Sequence, residues 1–465
     1  AVEVPVANAF KGAMLRHCLN DSGATVLVLD SEFVPRLAAV ADRLEHLRTV
    51  VVVGGAADVP GFVTCTVDEF LDAPPPAEVV PPRPRDVSAI LYTSGTTGPS
   101  KGVMMPWAHL HAIATGAIPQ EIMGPDDVAY YVGPANHQGA KIWPYLIAMA
   151  GGSLVVRNTF STDEYWSDVR KYGATTGALL GAMPHFLFDR PPQPDDADNP
   201  LDKIVMAPLH PRVHEFNRRF GTRAFTVYSM TEISAPILVE DWENRWSTLD
   251  PASCGTIRQG PPGYEIRLVD EDDEEVPDGQ VGELAVRTRE PWTLNAGYFN
   301  NPAATAEAWR NGWFHTGDAF RRDEQGNYYF VDRIKDCIRR RGENISSFEV
   351  EAEACDHPDV VEAAAIAVDA DESEDEVFLL AIRRPGATLD APALHAHLSE
   401  RLPRFMVPRY IEFVDAFPRT PTERVRKFEL RERGLGPNAW DATAHRRDDP
   451  GPAVTYVRNG SIHRA

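Results

Sequence analysis

Apolar runs of strand length alternate with stretches of helical spacing through the first half of the chain. Residues 12–20 carry helical spacing, and residues 25–29 form an unbroken apolar run. Residues 35–47 again read as helix, followed by the apolar strand 50–53 and a Gly54-Gly55 turn. After a proline-rich connector at 74–84 the rhythm returns: strand 88–92, helix 106–117, strand 128–132, helix 140–149, strand 154–156 and helix 163–172. Strands 204–207 and 224–228 then bracket a helix over 212–220. Such alternation, with wholly apolar strands, predicts a parallel sheet covered by helices on both faces.

The character changes beyond residue 250. Shorter segments at 264–269 and 282–287 flank an acidic turn at 270–279 and predict a β subdomain. A second change falls near residue 333. Ser346 with Glu349 three residues later is a capping pattern that opens a helix over 348–355. Strands follow at 360–368, 377–382 and 410–414, with a helix at 391–401. The pattern predicts an α/β protein with a large N-terminal domain over 1–334, built from parallel sheets and a β subdomain. A small α+β C-terminal domain follows over 335–441, then a polar tail over 442–465 with the composition of disorder.

A chain of 465 residues with 43% apolar and 25% charged residues has the proportions of a soluble globular protein of two or three domains. Its net charge of -22 argues against a nucleic-acid partner, because phosphate backbones are bound through basic surfaces. The five cysteines, at 18, 65, 254, 337 and 355, are scattered and odd in number, and lack metal-ligand spacing. They read as reduced thiols of a cytoplasmic protein. No apolar run reaches the roughly 18 residues of a membrane helix.

Candidate chemistry centres on Leu91-Tyr92-Thr93-Ser94-Gly95-Thr96-Thr97-Gly98-Pro99-Ser100-Lys101-Gly102-Val103. A flexible loop leaving a strand, with free N–H groups, hydroxyls and a cation, suits a polyphosphate. A Walker-type loop needs glycine directly before the lysine and Ser or Thr directly after it. Here Ser100 precedes Lys101 and Gly102 follows, so that spacing fails. Further on come Val227-Tyr228-Ser229-Met230-Thr231-Glu232 at the end of a predicted strand, and Gly312-Trp313-Phe314-His315-Thr316-Gly317-Asp318. An aromatic ring can stack on adenine, a hydroxyl can reach a phosphate, and a carboxylate can hold Mg²⁺ or a pair of ribose hydroxyls. Alone, Thr-Glu after a strand is an ordinary helix cap, and Gly-Asp an ordinary turn.

In this order the segments resemble the signatures of the adenylate-forming superfamily: acyl-CoA synthetases, luciferases and adenylation domains. The loop is similar to Tyr-Thr-Ser-Gly-Thr-Thr-Gly-x-Pro-Lys-Gly, with Ser100 at the usual proline. The second segment is similar to Tyr-Gly-x-Thr-Glu, with Ser229 for glycine, and the third to Gly-Trp-x-x-Thr-Gly-Asp. Asp332-Arg333-Ile334-Lys335-Asp336-Cys337-Ile338 resembles the start of the domain-junction motif, Gly-Arg-x-x-Asp-x-Ile, with Asp332 for glycine. Pro418-Arg419-Thr420-Pro421-Thr422-Glu423-Arg424-Val425-Arg426-Lys427 resembles Pro-x-Thr-x-x-Gly-Lys-Val-x-Arg; it puts Arg424 where the family has its catalytic lysine. Softer likenesses over 160–232 are closest to crotonobetaine/carnitine-CoA ligase-like enzymes.

The resemblance covers about residues 1–435 and implies ATP bound between a large domain and a mobile C-terminal one. By it, Thr93, Ser94, Gly95, Thr96, Thr97, Gly98 and Lys101 cradle phosphates, and Tyr228 stacks on adenine. Thr231 reaches the α-phosphate, Glu232 holds Mg²⁺, Asp318 takes the ribose and Arg333 the ribose or phosphate. Lys335 is the hinge, and Arg424 acts at the reacting oxygens. Pro134-Ala135-Asn136-His137-Gln138-Gly139 is similar to the family's Pro-x-x-His-x-x-Gly, one residue shorter. It implies that His137 touches the acid or gates its pocket, a structural histidine being the alternative. The implied reaction joins a carboxylate to AMP from ATP, releasing pyrophosphate, then passes the acyl group to CoA. An amine or carrier-protein thiol as acceptor stays open, as does a weakly catalytic ATP/AMP-binding protein with Arg424 in place of lysine. Partners are a small carboxylic acid, ATP and CoA, and a homo-oligomer is left open. Relatives carry a longer segment before the phosphate loop, so the first part of the N-terminal domain is expected upstream of Ala1.

Overall fold

The computed structural model describes the chain except residues 56–57, 75–77, 94–99, 119–122, 158, 182, 240–245, 335, 337, 341–342, 370–374, 420–423, 444–454, 459–460 and 465. For residues 117, 339, 343–344, 369, 455–458 and 461–464 it describes the backbone alone. The chain divides into two compact units, one of residues 1–316 and 320–330, the other of 317–319 and 331–465.

In the first unit, β1 (Val26–Asp30), β2 (Thr49–Val53) and β3 (Val63–Thr66) form a three-stranded parallel sheet in the order β1-β2-β3. β4 (Val87–Thr93) and β5 (Lys101–Pro106) pair with each other, antiparallel. A five-stranded, wholly parallel sheet joins β6 (Val128–Val132), β7 (Ser153–Arg157), β8 (Thr176–Leu180), β9 (Lys203–Ala207) and β10 (Arg223–Phe225) in the order β10-β9-β8-β6-β7. Successive strand residues face opposite sides, and the apolar runs therefore feed two cores. Val205 and Tyr131 pack with Ile142, Trp143, Leu146 and Ile147 of the helix Gly139–Ala150. Ile204, Met206 and Tyr130 pack with Val213, Phe216 and Phe220 of the helix Val213–Phe220. The parallel sheet covered on both faces is present here as the sequence predicts.

A seven-stranded sheet follows: β11 (Val227–Met230), β12 (Ser234–Leu238), β13 (Ser253–Ile257), β14 (Tyr264–Val269), β15 (Val281–Thr288), β16 (Phe314–Arg322) and β17 (Tyr328–Arg333), ordered β11-β12-β13-β17-β16-β15-β14. In the second unit, a short ladder of β18 (Ile338–Arg340) and β19 (Glu343–Ile345) precedes a four-stranded sheet. That sheet holds β20 (Val360–Asp369), β21 (Asp375–Arg383), β22 (Tyr410–Phe413) and β23 (Trp440–Asp441) in chain order. Leu379 and Ala381 of β21 pack on Val350 and Ala354 of the helix Ser347–Cys355 and on Leu394 and Leu398 of Ala391–Arg401. Phe378 and Leu380 pack instead with Leu430 of the helix Lys427–Arg433. In the tail, β24 (Thr455–Arg458) pairs antiparallel with β25 (Ser461–Arg464), a backbone order that its composition does not suggest. Among the described residues, no helix is long and apolar enough to cross a membrane.

Four readings need correction. β1 is an edge strand, and its apolar run is not covered on both faces: Val26 and Val28 are 46% and 56% exposed. Residues 35–47 do not form one helix but a helix at Val34–Ala38 and a 3-10 turn at Ala41–Arg43. Asn20 holds the end of that span out of a helical ladder, since its side chain donates to the Arg43 carbonyl and accepts from the Glu45 N–H. The strand expected over 224–228 is two strands, β10 in the parallel sheet and β11 in the next. Finally, β5 lies between the phosphate loop and the helix Trp107–Ala117, where the sequence suggests no strand.

Candidate active site

Lys101 opens β5 opposite Thr93, the last residue of β4, and Thr93 Oγ1 donates to the Lys101 carbonyl at 3.5 Å. The phosphate loop thus joins two antiparallel paired strands and is followed by a strand, not directly by a helix. Ser94, Gly95, Thr96, Thr97 and Gly98 lie outside the described residues. Gly102 has a packing reason, because a Cβ there would meet Ile90 Cγ2 at 2.7 Å and the Tyr92 ring at 3.2 Å. Residues 296–299 run along the free edge of β5. Ala296 N–H donates to the Met104 carbonyl at 2.9 Å, Met104 N–H to Gly297 at 3.0 Å, and Phe299 N–H to Gly102 at 2.7 Å. This ladder fixes Tyr298, and Lys101 Nζ sits 5.0 Å from its ring centroid, in cation–π contact.

Tyr228, Thr231 and Glu232 lie on the β11–β12 hairpin, which is antiparallel and not the end of a parallel strand as the sequence suggests. β12 opens on Ser234 at φ 67°, a left-handed conformation that costs a non-glycine residue about 1 kcal/mol. The Tyr264 hydroxyl donates to Ser234 Oγ at 2.8 Å and helps retain it. Thr231 and Glu232 are buried. Asn295 clamps the turn, since its N–H and its Nδ2–H donate to the Glu232 carbonyl at 3.0 and 2.8 Å. The Tyr298 hydroxyl donates to Glu232 Oε1 at 3.2 Å. Burial first, then the Glu232 charge, pushes the Tyr298 phenol well above its usual range, so it stays protonated and donating. Lys101 and Glu232 therefore meet on one ring, the cation over its face and the carboxylate at its hydroxyl. Tyr228 packs edge-on against Phe320, with centroids 4.7 Å apart.

The second unit holds the other candidates. Asp318 is buried, with Oδ1 3.4 Å from Arg333 Nε, so the structure brings those two together. Lys335 lies outside the described residues. Asp332, at the motif's usual glycine, has a local use. Its Oδ2 accepts from the N–H and hydroxyl of Ser347, each at 2.6 Å, and its Oδ1 from the Arg333 N–H at 2.7 Å. A carboxylate there satisfies an N–H of the first helical turn and favours the helix dipole. Lys427 Nζ donates to Ser347 Oγ and pairs with Glu351 at 2.7 Å. Burial pushes the Glu351 carboxyl up to about 7, with Lys427 pulling the other way. Arg424, three residues earlier, is exposed on the extended segment beside the Arg419–Val425 bridge. Asp332→Ala should destabilise the second unit by about 1–3 kcal/mol through the stranded Ser347 donors. Denaturant unfolding followed at Trp440 reads this directly, and an unchanged midpoint would contradict it.

His137 is half-buried at the start of the helix Gly139–Ala150, where its Nδ1 accepts from the Gly139 N–H at 3.1 Å. That bond places the ring proton on Nε2. Sequence reasoning missed Tyr298 and Asn295. The signal was Asn295-Ala296-Gly297: Asn295 Oδ1 accepts from the Gly297 N–H at 2.8 Å, a side-chain turn followed by glycine at φ 100°.

Residues 1–299 match the AMP-binding enzyme family, and residues 349–424 match the AMP-binding enzyme C-terminal domain. The chain is 32% identical over 383 residues to the sulfoacetate–CoA ligase of Cupriavidus necator, covering 80% of this chain and 73% of that protein. It is 30% identical over 442 residues to the crotonobetaine/carnitine–CoA ligase of Salmonella arizonae, covering 93% and 83%. ATP-bound MatB from Rhodopseudomonas palustris shares the fold with a TM-score of 0.77 at 26% identity, over 93% of this chain and 83% of that one. With both domains matched and two CoA ligases aligned along most of its length, the chain belongs to the AMP-binding enzymes, the adenylate-forming superfamily.

Proposed function

We propose that the protein activates a carboxylic acid with ATP and transfers the acyl group to CoA. The acid's carboxylate oxygen attacks the α-phosphorus of ATP, the bond to the β-phosphate oxygen breaks, and acyl-AMP and pyrophosphate form. The CoA thiolate then attacks the acyl carbon and AMP leaves. The observation that carries this reading is the convergence of Lys101 and Glu232 on Tyr298. On this reading Lys101 neutralises phosphate and Glu232 binds the metal, and the ring between them gives the preorganisation that phosphoryl chemistry requires.

Lys101 and Thr93 are assigned to the phosphates, Thr231 to the α-phosphate and Tyr228 to adenine. Asp318 and Arg333 are assigned to the ribose, Arg424 to the reacting oxygens, and Lys335 to the turn between half-reactions. Glu232 fits Mg²⁺ as a hard oxygen donor beside a hydroxyl residue. Among the described residues, no three His, Cys, Asp or Glu side chains are grouped to hold a metal, so most ligands would be phosphate oxygens and water. Bound there, Mg²⁺ would neutralise phosphate charge. Glu232→Gln is expected to raise the magnesium concentration needed for half-maximal rate several-fold. Asp318→Ala should raise the KM for ATP with magnesium dependence unchanged, and identical effects from both would refute the separate roles. We place the protein in the cytoplasm, a reading supported by the free thiols of Cys18, Cys65 and Cys355.

CoA is favoured as acceptor because the aligned relatives are named CoA ligases. The test is ATP-dependent pyrophosphate release across a carboxylic-acid panel, with and without CoA, alongside loss of free thiol. Pyrophosphate with CoA consumed is the expected result. Pyrophosphate with CoA untouched would move the acceptor to an amine or carrier thiol. ATP binding without turnover would leave a nucleotide-binding protein.

A further inference from the structure

One buried polar side chain in the first unit is not among the groups assigned above to ATP. Gln138 is 5% exposed. Its backbone carbonyl accepts from the N–H groups of Lys141 and Ile142, at 2.8 and 3.0 Å, which fixes it at the helix start. Its Nε2 donates to Ser229 Oγ at 3.4 Å, and its Oε1 has no hydrogen-bond partner among the described residues. A buried amide oxygen left without a donor costs about 1–3 kcal/mol. Such a group calls for an explanation, and a ligand that completes the bond is one.

The position suits an acid. Ser229 precedes Thr231 by two residues on the strand that delivers Thr231 and Glu232, and Gln138 follows His137 beyond the carboxyl end of β6. In open parallel sheets that edge is where ligands gather. An alkyl chain packed against Gln138 would leave the amide oxygen unpaired, whereas a hydroxyl or amino group would donate to it. We propose that Gln138, held by Ser229, is a specificity residue selecting acids that carry a hydrogen-bond donor on the acyl chain. This rests on the acid-activation reading and names its substrate class. The Ser229 hydroxyl, where the family motif has glycine, holds the amide and narrows the space for an unsubstituted chain.

The test measures kcat/KM for ATP-dependent pyrophosphate release with acids paired by size, hydroxyl against methyl. The pairs are lactate with isobutyrate, β-hydroxybutyrate with isovalerate, and p-hydroxybenzoate with p-toluate. In at least one pair the hydroxy acid should be preferred by about tenfold or more, since a site built to bond a hydroxyl rejects the analogue lacking it. Gln138→Met, similar in length and apolar, should bring that ratio to about one or invert it while ATP binding persists. Gln138→Asn and Ser229→Ala should fall between. Equal turnover of both partners in wild type, or a ratio unmoved in a folded Gln138→Met protein, overturns the assignment. A keto analogue preferred over the hydroxy acid would mean the amide presents its nitrogen, and overturns it too. No pyrophosphate from any acid, with ATP bound, strikes the acid-activation reading itself, and this inference falls with it.

Discussion

Replacing Lys101 with alanine is expected to slow ATP-dependent pyrophosphate release by about 10²–10³, the usual cost of deleting one preorganised electrostatic contact. The fold should survive, because β5 is held by backbone bonds to β4 on one side and to residues 296–299 on the other, and neither uses the lysine side chain. What is lost is an ammonium held in place before ATP arrives. The ring of Tyr298 positions it at 5.0 Å, a contact of about 0.5–2 kcal/mol. Tyr298→Phe keeps the ring and removes only the donor to Glu232, so it should cost much less and should show mainly as altered magnesium dependence. Rates of the purified variants, with unfolding curves as the control, separate these effects. A folded Lys101→Ala enzyme with unchanged turnover would remove the phosphate loop from the mechanism.

The parallel sheet was legible because β6 and β9 are apolar at nearly every position, as a strand buried on both faces requires, whereas β8, which opens with Thr176 and Gly177, was not read as a strand. The helix Ala391–Arg401 was legible to the residue: Asp390 caps it, its carboxylate accepting from the Ala393 N–H at 2.9 Å, and Pro392 fits its first turn. β5 was not legible. It begins with lysine and glycine and ends with proline, which do not favour a strand, and one of its two ladders comes from residues 296–299, far along the chain. The β11–β12 turn was hidden for a related reason. Ser234 takes a backbone angle that its residue type disfavours, retained by Tyr264, thirty residues later. Motif order revealed Lys101, Glu232 and Asp318 as candidates, but Tyr298 joins Glu232 across sixty-six residues. No spacing rule reaches that far.

The most exposed assignment concerns Arg424, which stands where the family has lysine. Two cations could serve near that position, and their surroundings differ. Lys427 is committed to the second unit: its side chain is 14% exposed, pairs with Glu351 at 2.7 Å and donates to Ser347, which Asp332 also holds. Freeing it would leave Glu351 buried without its cation, a loss of several kcal/mol by the measure of other buried pairs. Arg424 is exposed on an extended segment and keeps its charge at any working pH. Arg424→Ala should therefore cut pyrophosphate release by about 10²–10³. Arg424→Lys should stay active or gain, since a compact ammonium suits the reacting oxygens better than a planar fork. Lys427→Ala should behave differently, with the rate per folded molecule little changed and stability lowered. That deficit has a pH signature. Burial already holds the Glu351 carboxyl near 7, above its unfolded value, and losing Lys427 removes what pulls it down. The folded state then binds the proton more tightly than the unfolded one, so stability falls as pH rises from the ordinary carboxyl range upward. Unfolding midpoints at acidic and at neutral pH, set beside burst-phase pyrophosphate release, distinguish the structural role of Lys427 from the catalytic role of Arg424. A folded but inactive Lys427→Ala enzyme beside a fully active Arg424→Ala enzyme would reverse the assignment.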